Sequence, residues 1–174
     1  MFPLCIGMYV VLRPKFDVND YCKMIIKYKP QILAGVPTLF ESLLKEWNDS
    51  KTKLDFLKFA MAGGDSLKPA LRDRINAFFK EHDANIRVVE GYGLSEAVGG
   101  VTQGIKEIEK HNTSGIPLPG VYVGIFSHEN QEVPYGEEGE ICVCGPTVML
   151  GYYNNIEETN LVLHVHEDGN IWLH

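Results

Sequence analysis

Residues 86–96 read IRVVEGYGLSE: four residues with the character of a buried strand, then a tyrosine held between two glycines, then Ser95 and Glu96. A strand that runs into glycines is one whose backbone must be approached closely, so the elements that lead into it decide the fold. Between residues 10 and 94, short apolar runs alternate with helical periodicity, the mark of strand–helix–strand units. Asp17 can cap a helix that buries Val18, Tyr21, Cys22 and Ile25, and Pro30 stops it. A strand follows at 31–36. Thr38 and Glu41 form a capping-box pattern before a helix with Phe40, Leu43, Leu44 and Trp47 on one side. The run FLKFAMAGG is a second strand ending in glycines, and Ser66 is expected to cap a third helix carrying Leu67, Leu71, Ile75 and Phe78. This predicts an α/β fold, a mostly parallel sheet flanked by helices.

Beyond residue 102 the helical pattern fades, and from 114 onward glycine, proline and alternating strands take over. Val121, Val123 and Ile125 share one face of a strand, and EICVC at 140–144 alternates again. A short helix over 157–163, a turn at 168–170 and a strand at 171–174 complete a smaller β-rich subdomain, a partial barrel. The expected division is 1–112 for the α/β part and 113–174 for the β-rich part.

Composition excludes several functions. With 16 basic against 23 acidic residues among 174 and a net charge of −7, the chain repels nucleic-acid phosphates, so no nucleic-acid partner is expected. Residues 1–12, MFPLCIGMYVVL, have their basic residues Arg13 and Lys15 after the apolar run and no small-residue cleavage site. They match neither a leader nor a membrane span, which needs about 18 apolar residues. A buried strand is expected there, one whose apolar edge would favour self-association if excised. The four cysteines read as reduced thiols of a cytoplasmic protein. Cys142 and Cys144 fall on one face of a strand, and His164 and His166 alternate near Glu167 and Asp168. Each group could ligate a metal; for both, a structural role is the expectation.

Two loops carry the chemistry. AGGDSL at 62–67 joins a strand to a helix, and EGYGLSE at 90–96 follows the last strand. In open α/β sheets ligands bind outside the carboxyl ends of the strands, where backbone N–H groups project. Tyr92 offers a flat face for a base, worth about 1–3 kcal/mol. Ser95 offers a hydroxyl to a phosphate, and Glu96 the hard oxygen that Mg²⁺ prefers among phosphates. The bland counterparts are a tyrosine at the rim of the core and a helix start with Ser95 as cap.

AMAGGDSL, GYGLSE, SGIPLPG, GEEGEICVCGPTVMLGYYNN and DGNIWLH stand in the order and approximate spacing of the adenylate-forming acyl-CoA synthetases, and the chain resembles that superfamily along nearly its whole length, most closely the long-chain fatty-acid ligases. The resemblance implies a two-step reaction: ATP activates a carboxylic acid as an acyl-adenylate, and coenzyme A takes the acyl group as a thioester. It implies an adenine site from Gly63, Gly64, Asp65 and Ser66 with Glu90, Gly91, Tyr92 and Gly93, in which the Gly64 and Asp65 backbone lines the base and Tyr92 stacks on it. Ser95 stands where the family has a threonine on phosphate, and Glu96 where it has the magnesium ligand; these two are the expected catalytic pair. Glu90 replaces a common glutamine. AGVPTLF at 34–40 resembles the acyl-pocket segment, with Gly35, Val36 and Pro37 as its candidates and Gly35 leaving width for an alkyl chain.

The family also carries an upstream phosphate loop, a Thr-Gly-Asp after the position of NIWLH, and a mobile domain with a catalytic lysine. The chain is therefore expected to be an internal piece of the large N-terminal domain, inactive alone, from a cytoplasmic parent whose membrane association stays open. Two other functions remain in view: an adenylate-forming ligase for an aryl, coumarate-like or amino acid, and a non-catalytic nucleotide-binding domain.

Overall fold

The computed structural model describes residues 2–15, 17–105 and 113–174. The division expected at 112/113 borders residues 106–112, which lie outside the described residues. The chain forms two compact units, Met1–Met61 with Leu67–Val88, and Ala62–Ser66 with Val89–His174.

The first unit is α/β. It holds helix α1 (Phe2–Cys5), α2 (Val18–Tyr28), strand β1 (Ile32–Gly35), α3 (Pro37–Glu46), β2 (Phe59–Ala62, all but its last residue) and α4 (Pro69–Glu81), with β1 and β2 neighbours in a sheet. Asp17 caps α2 as the sequence implies, accepting the Asn19 N–H at 2.9 Å, and Tyr21, Cys22 and Ile25 are buried. The other two caps differ from expectation. Val36 is the N-cap of α3 and Lys68 that of α4, neither with a side-chain hydrogen bond, and both helices open on proline, Pro37 and Pro69. Proline at the first helical position has its backbone angle preset and no N–H to satisfy, so it starts a helix without Thr38 or Ser66 acting as cap. Phe40, Leu43, Leu54, Ile75 and Phe79 are almost wholly buried. Each contributes about 1.5–3 kcal/mol by leaving water.

The apolar start is not a strand. After α1 the chain turns at Gly7 (φ 75°) and runs without regular structure to Lys15, with Leu4, Ile6, Tyr9 and Leu12 exposed. A strand needs a partner for its backbone groups, and among the described residues this segment has no ladder. No helix of the described residues is long and apolar enough to cross a membrane.

The second unit begins its ordered strands with β3 (Val88–Leu94), which reverses through a 3₁₀ turn (Ser95–Ala97) into β4 (Gly99–Gln103) and then β5 (Ile116–Pro117); both pairings are antiparallel. The mostly parallel sheet expected from the sequence thus has an antiparallel side, because the chain folds straight back on β3 instead of crossing over a helix. A second sheet, wholly antiparallel, has the order β6-β7-β9-β8, from β6 (Tyr122–Phe126), β7 (Glu140–Cys144), β8 (Leu163–Val165) and β9 (Ile171–Leu173). Helix α5 (Ile156–Val162) precedes β8, capped by Asn155, whose side chain accepts the Glu158 N–H. Ala97, Val101, Val121, Val143 and Leu173 form the core cluster of this unit, joining the β3–β4 return to the second sheet.

The return is set by glycine. The β3–β4 register shifts between Tyr92 and Gly93, a bulge that opposes Gly93 to Gly100. A Cβ on Gly93 would run into the Gly99 carbonyl, which is backbone and cannot rotate away. Gly93→Ala is expected to cost about 1–3 kcal/mol, the usual range for an overpacked site, read as a lowered urea midpoint with unchanged slope.

Candidate functional site

Gly91, Tyr92 and Gly93 belong to the strand itself, where the sequence reading places a loop. Their position is fixed by the β4 ladder, Gly91 opposite Gln103 and Tyr92 opposite Thr102, and by the Gly104 N–H donating to the Glu90 carbonyl at 2.7 Å. The glycine loop at 62–66 lies in the same unit and meets this strand: a methyl group built on Gly63 would sit 3.5 Å from the Gly91 carbonyl oxygen. The two stretches are thus adjacent backbones. Beyond Gly63 the chain turns at Gly64 (φ 78°), and the Asp65 carboxylate accepts the Ser66 N–H at 2.7 Å. Gly64, Asp65 and Ser66 are exposed, which leaves their backbone accessible. Tyr92 is half-buried and packs against the core cluster, as a rim tyrosine does; that contact holds the ring in place.

Ser95 is exposed at the start of the 3₁₀ turn, and its carbonyl accepts the Val98 N–H at 3.1 Å. Glu96 is held from both ends. Its carbonyl accepts the Met149 N–H at 2.7 Å, and its carboxylate Oε1 accepts the Tyr152 hydroxyl at 2.8 Å. This bond from Tyr152 lowers the Glu96 pKa below the ordinary glutamate value, and the same bond raises that of Tyr152. The carboxylate is therefore kept ionised and oriented. Tyr152 is in turn set by α5, since its N–H donates to the Thr159 hydroxyl at 2.9 Å, which donates to the Asn155 carbonyl at 2.8 Å.

Tyr152 is the residue sequence reasoning missed. It lies within GYYNN, yet nothing in a linear reading joins it to a carboxylate 56 positions away. The acyl-pocket candidates Gly35, Val36 and Pro37 lie in the first unit, and Leu39 Cδ2 occupies the place a Cβ on Gly35 would take. Asp168 of the histidine-rich stretch is engaged locally, accepting the Asn170 N–H at 2.9 Å and the Trp172 indole N–H at 3.1 Å, which makes it a turn residue. The cleft lined by Val121, Val123, Met149, Leu163 and Trp172 includes none of the expected site residues.

Adjacent glycine backbones beside an aromatic ring, with an ionised carboxylate at the end of the strand, suit a nucleotide, and similarity to known proteins gives the class. Residues 1–153 match the AMP-binding enzyme family, and the chain belongs to it. It is 36% identical over 166 residues to a long-chain-fatty-acid–CoA ligase of Bacillus subtilis, covering 93% of this chain and 28% of that one. It is 35% identical over 158 residues to a probable 4-coumarate–CoA ligase of Dictyostelium discoideum, covering 90% of this chain and 28% of the relative. Among solved structures, a long-chain-fatty-acid-CoA ligase from Archaeoglobus fulgidus superposes with a TM-score of 0.89 at 24% identity, over 98% of this chain and 36% of that one. An anthranilate CoA ligase in complex with anthranoyl-AMP superposes at 0.80 and 23% identity, over 99% of this chain and 35% of that one. At those identities the structural likeness carries the fold alone. The chain spans little over a quarter of the curated relatives it matches.

Removing the hydroxyl that holds Glu96 has a readable effect. A carboxylate whose folded pKa is depressed adds stability above its unfolded pKa, and loses it as pH falls through the folded one. Tyr152→Phe is expected to raise the Glu96 pKa and to remove that acid-range contribution, seen by NMR titration of the Glu96 carboxyl carbon.

Proposed function

We propose that the chain carries the adenylate-binding part of an acyl-CoA ligase, an enzyme that activates a carboxylic acid with ATP as acyl-adenylate and passes the acyl group to coenzyme A. The observation that carries this reading is the approach of Gly63 to the Gly91 carbonyl in the unit that also holds Tyr92 and Glu96. Family membership supports the adenylate chemistry.

In this reading Gly63, Gly64, Asp65 and Ser66 present the backbone edge of the adenine site, with Glu90, Gly91 and Gly93 beside them, and Tyr92 stacks on the base. Ser95 donates its hydroxyl to a phosphate oxygen. Glu96 supplies the cation ligand. Its donor chemistry fits Mg²⁺: an anionic oxygen kept ionised by Tyr152, with Oε1 held so that Oε2 is left for a hard cation. When bound, Mg²⁺ would neutralise charge on the phosphates during displacement of pyrophosphate. Gly35, Val36 and Pro37 are the candidates for the acyl side.

The acid is a fatty acid in the reading the sequence favours most, with the Bacillus subtilis relative in support. A specific observation keeps an aryl acid beside it: the probable coumarate ligase matches at nearly the same identity, 35%. Isothermal titration of an acyl-adenylate analogue into the intact protein should show saturable binding. Tyr92→Ala should weaken it by about 1–3 kcal/mol, the loss of one stacking face. Unchanged affinity would remove Tyr92 from the site. Thioester formation across fatty, coumaric and anthranilic acids separates the two acid classes, and no thioester with any acid, together with retained adenylate binding, would favour a non-catalytic nucleotide domain.

A further inference from the structure

The second sheet of the β-rich unit assembles side chains that the nucleotide reading does not use. Val143 on β7 pairs with Leu173 on β9, and this antiparallel register sets Cys142 across from His174. Val143 and Leu173 point into the core cluster, so by strand alternation Cys142 and His174 share the opposite face. There the Cys142 Sγ lies 3.3 Å from His174 Nδ1, and the same Nδ1 lies 3.3 Å from Glu140 Oε2. One ligand atom from each of Glu140, Cys142 and His174 falls within 4.8 Å of the others.

We propose that Glu140, Cys142 and His174 form a site for a divalent zinc-class cation, with a water or other exogenous ligand completing a tetrahedron on the Glu140 side. The spacing fits. Bonds of about 2.0–2.3 Å to sulfur, nitrogen and oxygen at tetrahedral angles separate neighbouring ligand atoms by about 3.3–3.6 Å; the two edges at His174 Nδ1 lie at 3.3 Å, and the third, from Cys142 to Glu140, is within 4.8 Å and closes by rotation of the half-exposed Glu140 side chain. The donor set of one thiolate, one imidazole and one carboxylate is also the set zinc accepts and magnesium does not.

The surroundings agree independently. His166 Nε2 stands 2.8 Å from His174 Nε2, a distance at which one ring must donate and the other accept. With His174 donating from Nε2 to His166, its Nδ1 is left to bind a cation shared with Cys142 and Glu140, and the ring–ring bond orients the imidazole as the outer partners of metal-binding histidines do. The Cys142 side chain is fully buried, so a thiolate there needs a cation beside it. A bound cation supplies the charge that stabilises the thiolate. Binding releases the thiol proton to solvent, so affinity rises with pH. Cys144, two residues along β7, is outside the group. Glu140 is about half-exposed at 49%, which gives the cation a route in and an open coordination position.

Titration of the 174-residue chain with Co²⁺, followed by zinc competition and metal analysis, tests the site. One cobalt per chain is expected, with a thiolate-to-cobalt charge-transfer band in the near ultraviolet and ligand-field bands of tetrahedral intensity, displaced by one equivalent of zinc. The charge-transfer band should vanish in Cys142→Ser and cobalt binding should be lost in His174→Ala, while Cys144→Ser keeps both. His166→Ala should weaken binding about 10- to 100-fold through loss of the orienting partner. Should Cys142→Ser lose its circular-dichroism signature, Glu140→Gln takes its place as a change on a half-exposed side chain, and it should weaken cobalt binding while leaving the fold intact. No charge-transfer band in the unsubstituted chain at saturating cobalt would overturn the site, as would a band abolished by Cys144→Ser or by Cys5→Ser at the exposed thiol.

Discussion

The bulge at Tyr92–Gly93 is the constraint on which the β-rich unit depends. Because Gly93 has no side chain, β4 can return against β3 closely enough for Val101 to enter the core, and the turn between them exposes Ser95 and aims Glu96. From there two hydrogen bonds reach forward in sequence: Met149 to the Glu96 backbone and Tyr152 to its carboxylate. The same unit binds the glycine loop at 62–66 to the Gly91 backbone. Three distant parts of the chain, the 62–66 loop, the β3–β4 return and the Met149–Tyr152 stretch, are thereby gathered in one unit.

Much of this was legible in the sequence, and the losses have physical causes. The apolar stripes of α2, α3 and α4 gave their buried faces correctly, since helical period is a long and redundant signal. Caps were less secure: Asp17 was read correctly, whereas Pro37 and Pro69 displaced Thr38 and Ser66, because a preset backbone competes with a side-chain hydrogen bond. The GYG stretch reads as a loop in the sequence and is part of a strand in the fold, since glycines in a bulged strand and in a loop look alike in one dimension. Residues 1–12 were composed like a buried strand and are not one; pairing is decided by neighbours, and composition does not supply them.

The partners of the site side chains were the least visible feature. Tyr152 on Glu96, and His174 beside Cys142 and Glu140, are made by register and by chain reversal, which a linear reading cannot place. In the sequence Cys142 and Cys144 fall on one face of a strand, and His164 and His166 alternate near Glu167 and Asp168. Ladder geometry draws one member of the first pair into a group with β9 and the residue after it, and it leaves His166 as the partner of a neighbouring ring. The two faces of the second sheet are accordingly different in kind: one apolar and joined to the core cluster against which Tyr92 packs, the other lined by thiol, imidazole and carboxylate.

The central proposal is that the glycine loop at 62–66 and the β3 glycines together form the backbone edge against which a purine binds. Backbone amide shifts recorded while AMP is titrated into the intact, isotope-labelled protein test it most directly. The account requires the largest changes at Gly63, Gly64, Gly91 and Gly93, saturating together with a single affinity. Saturable binding with those four amides unmoved, and the changes gathered elsewhere in the chain, would contradict it.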